Sequence, residues 1–125
     1  MTRFTAHRRS ARRVAIAVAA VAGLVLAPAT SAQAAAVRVK ATASRTFVPA
    51  RVRIAPGTKV VWKAVGLTHT VTAYKGHWSK KATIVAGQTT SFRFKSTGRY
   101  LYRCTIHSTL TNGVCAGMCA KIIVR

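Results

Sequence analysis

A chain of 125 residues has room for one domain. It holds 21 Lys and Arg, 4 His and no Asp or Glu, a formal net charge of +21. The lack of carboxylates excludes paired-acid glycosidase chemistry, a Ser-His-Asp triad, carboxylate calcium and magnesium sites and every salt bridge between side chains, leaving His, Cys, Met, Tyr and backbone for chemistry.

Residues 1–13 carry Arg3, Arg8, Arg9, Arg12 and Arg13, an apolar run extends from Val14 to about Ala29, and small residues follow in Ser31-Ala32-Gln33-Ala34. A basic start, an apolar stretch and an A-x-A motif define a secretory signal peptide. It is expected to span residues 1–34, with the functional domain at 35–125 and a secreted, extracytoplasmic product. Arg12-Arg13 also permits twin-arginine export. As a retained anchor the apolar run is short, because spanning a bilayer takes about 20 residues.

From there the pattern is that of strands. Val37-Arg38-Val39-Lys40-Ala41 alternates with period two, as do Val52-Arg53-Ile54 and the run around Val60-Val61-Trp62. Pro56-Gly57 between these runs predicts a turn. His69 to Tyr74 is rich in β-branched residues, the segment 75–88 reads as mixed loop, and Thr89 to Lys95 puts Phe92 and Phe94 on one face. Gly98 opens a run in which Tyr100, Tyr102 and Cys104 share a face, and Lys121 to Val124 closes the chain. Short strands, regular turn signals and no helical period predict an all-β sandwich of about seven or eight strands. The aromatic residues read as its core, except Trp78, which lies in a polar loop. His77 reads as an exposed loop histidine.

Three cysteines, Cys104, Cys115 and Cys119, leave one thiol without an internal partner if the others pair. Cys104 has a histidine close by, in Cys104-x-x-His107. Met118 is the one methionine beyond the leader, and His69 opens a separate strand. One thiolate, two imidazoles and one thioether make the donor set of a trigonal His₂Cys copper site with a weak axial Met. Soft sulfur favours Cu(I), and imidazole accepts both oxidation states. One donor then comes from an early strand and three from the loop joining the last two strands, at one end of the sandwich.

These residues carry a family resemblance. Phe47-x-Pro49, Pro56-Gly57-Thr58-x-Val60-x-Trp62, His69-Thr70-Val71, Gly98-x-Tyr100-x-Tyr102-x-Cys104-x-x-His107 and Gly117-Met118 together resemble the plastocyanin/pseudoazurin branch of the cupredoxins, the type 1 or blue copper proteins. The resemblance spans about residues 37–125. It implies a Greek-key β-sandwich, one type 1 copper, single-electron transfer rather than enzymatic turnover, and His69, Cys104, His107 and Met118 as ligands. Two features depart from the family pattern. Ten residues separate His107 from Met118, where plastocyanin-like members have a few. The second is the Cys115/Cys119 pair. A disulfide between them would close the loop and pin Met118, while free thiols or a second soft-metal site remain alternatives.

Residues 35–125 keep 16 basic side chains and no acid. Such a domain repels itself and concentrates on anionic surfaces. The expected partners are an acidic redox protein and, as an alternative, an anionic cell-wall polymer or membrane surface. Nucleic acid would bind without specificity, and a monomer is expected. Two functions compete with electron carriage: copper storage or delivery without redox traffic, and a basic protein of the cell envelope.

Overall fold

The computed structural model describes residues 15–28 and 34–125. The arginine-rich start of the expected signal peptide and most of its small-residue motif lie outside the described residues. Residues 15–28 form neither helix nor strand, and no helix among the described residues is long and apolar enough to cross a membrane.

The remaining unit is built from nine strands: β1 Val37–Ala41, β2 Phe47–Val48, β3 Arg51–Ile54, β4 Thr58–Ala64, β5 His69–Lys75, β6 Lys81–Ile84, β7 Thr89–Phe94, β8 Gly98–Thr111 and β9 Val114–Val124. They form two sheets, in the orders β2-β1-β4-β7 and β3-β9-β8-β5-β6. The pairs β1–β4 and β3–β9 are parallel, and the others are antiparallel. The expected β-sandwich is therefore present, with nine strands rather than seven or eight. The additions are the two-residue β2 and β6, which falls inside the segment expected to be loop.

Alternation in sequence becomes alternation in burial, because successive side chains on a strand point to opposite faces. In β4, Thr58, Val60, Trp62 and Ala64 are buried, while Lys59 and Lys63 face solvent. Val39 and Ala41 of β1, Val52 and Ile54 of β3, and Tyr100, Tyr102 and Cys104 of β8 complete the same pattern. The turn between β3 and β4 carries the chain from one sheet to the other. Thr58 N–H donates to the Ala55 carbonyl at 3.2 Å across Pro56-Gly57. Gly57 there has φ +90°, the left-handed value that the third position of a type II turn demands.

The interior is aromatic. Trp62 touches Phe94 and Tyr102 edge to face, and Phe47 stands against Tyr102 with ring centroids 4.7 Å apart. Trp78 is not a loop bystander. Its ring packs on Trp62, Phe92, Phe94, Tyr100 and Tyr102, and its indole N–H donates to the Lys75 carbonyl at 3.2 Å.

Candidate metal centre

His69 opens β5, Cys104 and His107 lie on β8, and Met118 lies on β9, so three neighbouring strands of one sheet supply the four side chains. Cys104 sits on the inward row begun by Tyr100 and Tyr102, which buries its sulfur completely. The β8–β9 register then shifts between Arg103 and Ser108. Within that irregular stretch His107 comes back toward Cys104 three residues on. Cys104 Sγ is 3.5 Å from His107 Nδ1 and 3.8 Å from His69 Nδ1. All three donor atoms lie within 4.8 Å of one another.

This spacing fits a metal. A first-row ion bonded to thiolate at about 2.3 Å and to imidazole at about 2.0 Å holds S and N roughly 3.7 Å apart in a trigonal plane. The second sphere is also in place. Thr70 N–H donates to Cys104 Sγ at 3.3 Å. Thr105 N–H donates to Thr70 Oγ1 at 2.8 Å, and Ser108 Oγ donates to the Cys104 carbonyl at 2.6 Å. Burial, and then the neighbouring His107, hold the His69 imidazole below its ordinary pKa; the Thr42 backbone opposes this shift, yet His69 Nε2 completes no hydrogen bond. The ring is thus neutral near pH 7, with a lone pair to give. His69, Cys104 and Met118 are buried, and His107 is half-exposed.

The interval between His107 and Met118 is not an irregular loop. Strands β8 and β9 run on as a hairpin, with Ser108↔Gly117, Thr109↔Ala116, Leu110↔Cys115 and Thr111↔Val114 paired. Asn112 and Gly113 close it with φ of 51° and 75°, the signature of a type I′ turn, whose hand suits the strand twist. The Asn-Gly signal stood in the sequence, but a loop was expected there.

Met118 belongs to the same buried cluster as Cys104. Two features bring it in. Gly117 has φ +101°, and a Cβ on it would lie 2.5 Å from the His107 carbonyl oxygen and 3.1 Å from Ser108 Cα, so backbone approaches where no side chain fits. A disulfide joins Cys115 to Cys119 with their Cα atoms 6.2 Å apart. Four residues of extended strand span about 13 Å, so the clamp folds β9 sharply around Gly117-Met118. Cys104 is left as the free thiol. The exposed loop histidine, His77, lies outside this cluster.

A sandwich that holds a buried cysteine sulfur between two imidazoles has the donor arrangement of a type 1 copper protein. Residues 33–125 match the family of copper binding proteins, plastocyanin/azurin family, and the chain belongs to it. No curated protein matches the chain in sequence. Among solved structures, the reduced Cu(I) form at pH 4 of a proline-to-glycine mutant of amicyanin is 22% identical, with TM-score 0.60 over 74% of this chain and 84% of that one. A purple cupredoxin from Nitrosopumilus maritimus is 13% identical, with TM-score 0.57 over 71% of this chain and 99% of that one. A Cu-containing nitrite reductase from Thermus scotoductus SA-01 is 19% identical, with TM-score 0.59; the match covers 73% of this chain and 22% of the reductase. At these identities the likeness is one of fold.

Proposed function

We propose that the protein is an extracytoplasmic, monomeric carrier of single electrons, exchanging them with an acidic redox partner and transforming no substrate itself. The observation that carries this reading is the clustering of Cys104 Sγ with the Nδ1 atoms of His69 and His107. These three side chains would hold copper, with Met118 as the weak fourth donor. Bound copper supplies a one-electron Cu(I)/Cu(II) couple.

The chain's own contribution is rigidity and exclusion of water. Donors fixed on β5, β8 and β9 stay in place whichever oxidation state they face, which keeps reorganisation small. The Thr70 N–H stabilises sulfur charge. Burial of three of the four donors leaves no open position for a substrate and makes the half-exposed His107 the donor nearest a docked partner. The disulfide removes Cys115 and Cys119 as further soft donors, which weighs against storage of several copper ions.

Titration with Cu(II), followed by visible and EPR spectra and by voltammetry, tests the proposal. One copper per chain, an intense thiolate-to-copper band and rapid reversible reduction are expected. Stoichiometry above one would support storage instead, and absence of the band would overturn the reading.

A further inference from the structure

Sixteen basic side chains in residues 35–125 have no side-chain carboxylate to meet, and the fold does not scatter them. Arg38, Lys40, Lys59, Lys63 and Arg93 alternate with buried residues on β1, β4 and β7, which places them on the outer face of the four-stranded sheet. Arg51 and Arg53 of β3, Arg99 and Arg103 of β8, and Lys121 of β9 occupy the outer face of the other sheet. Cations stand directly opposite one another across neighbouring strands: Lys40 against Lys63, Lys59 against Arg93, and Arg51 against Lys121. Like charges in such pairs destabilise a sheet, so this arrangement calls for countercharge from outside the chain.

The hairpin at the metal end is different. From Cys104 to Ala120 there is no Lys or Arg, although this stretch includes the exposed hairpin tip with Leu110 and Val114. The five-stranded face also carries a recess of about 320 Å³ lined by Arg51, Lys121, Tyr74 and Leu101. Its lining sets these two cations and the phenol beside the apolar Ala50, Leu101 and Ala120.

From this distribution we infer that the protein binds linear polyphosphate along both outer sheet faces, leaving the β8–β9 hairpin, which carries no Lys or Arg from Cys104 to Ala120, uncovered. The two-sidedness selects the partner. A lipid bilayer or a folded acidic protein meets one face of a sandwich at a time, whereas a flexible chain wraps both. Neighbouring cations along a strand, such as Arg38 and Lys40 or Arg51 and Arg53, sit about 7 Å apart, a repeat that a chain of phosphates can follow. The inference does not depend on copper or on electron transfer.

The test uses long-chain polyphosphate with the protein and two triple variants, Lys40→Gln/Lys59→Gln/Lys63→Gln on one face and Arg51→Gln/Arg53→Gln/Lys121→Gln on the other. Both variants remove repulsion, so melts without polyanion should show them at least as stable as the parent. Binding measured across salt concentrations should weaken in each, with the slope of log K against log salt falling by about 2 for three lost phosphate contacts. Polyphosphate should raise the parent's melting temperature well above the effect of the same amount of orthophosphate. Loss confined to one variant would overturn the inference and point to one-sided docking, to be identified with phosphatidylglycerol vesicles or an acidic protein. Equal stabilisation by orthophosphate would overturn it as well.

Discussion

Cys104 carries more of the site than any other residue. It is the free thiol, its sulfur lies between two imidazole Nδ1 atoms, and it accepts the Thr70 N–H. Cys104→Ala should abolish the visible copper band while costing on the order of 1 kcal/mol of stability, the ordinary cost of a point change; visible spectra and urea melts separate the two effects. The donors were legible because sulfur and imidazole are scarce in this chain and each stood at a recognisable spacing. Trp78 was not legible, because its neighbours Gly76, His77, Ser79 and Lys80 mark a polar loop. Only the closed fold shows that loop laying its indole over Trp62 and Phe94. Trp78→Ala should therefore destabilise the protein by about 3 kcal/mol, the low end for a large aromatic truncation because the ring is half-buried. A surface tryptophan would cost almost nothing in the same melt.

Among the elements, the β8–β9 hairpin decides where Met118 lies. Period-two patterning predicted both strands near their outer ends, where one face is buried and the other wet. It failed in the middle, where residues 105–117 are mostly exposed on both faces and alternation has nothing to report. There the information sits in Asn112-Gly113, in Gly117 and in the cysteines, which act through backbone conformation and covalent closure rather than through burial. The disulfide closes a short loop, a sequence separation of 4, for which the chain-entropy model gives about 2 kcal/mol. Changing Cys115 and Cys119 together to Ser should lower stability by about that amount. It should also shift the EPR spectrum of the copper-loaded protein in the direction that Met118→Ala shifts it, because the bend that turns Met118 inward is released. A loss of stability with an unchanged spectrum would mean that Gly117 alone sets the bend.

At the scale of the whole molecule, charge is the term the fold leaves unbalanced. Composition made the imbalance legible, and the alternation of cations with core residues along the chain did the same for the β-sandwich. It did not show which cations oppose one another, because register is a property of paired strands. Lys40–Lys63, Lys59–Arg93 and Arg51–Lys121 are close and reach solvent, all but Lys121 fully exposed, so their repulsion is screened as the Debye length falls from about 10 Å at 0.1 M salt to about 3 Å at 1 M. Relief on the order of 1 kcal/mol would raise the melting temperature by about 5 °C in a domain of this size, and the expected direction is up with sodium chloride. Lys80 adds a pH dependence of its own. Its ammonium donates to Thr90 Oγ1 and to the Ser91 carbonyl, and burial lowers its pKa from the ordinary lysine value of 10.5. Between that lowered value and 10.5 the unfolded chain binds more protons than the folded one, so stability rises with pH across the window and levels off above it. Melts at high salt, where surface repulsion is already screened, isolate this contribution. Relative to Lys80→Met the parent should gain stability across that window, against the loss that burial of Tyr74 and Tyr102, by raising their pKa from 10.0, brings to both proteins at higher pH; an identical pH dependence in both would show that this half-buried amine contributes nothing.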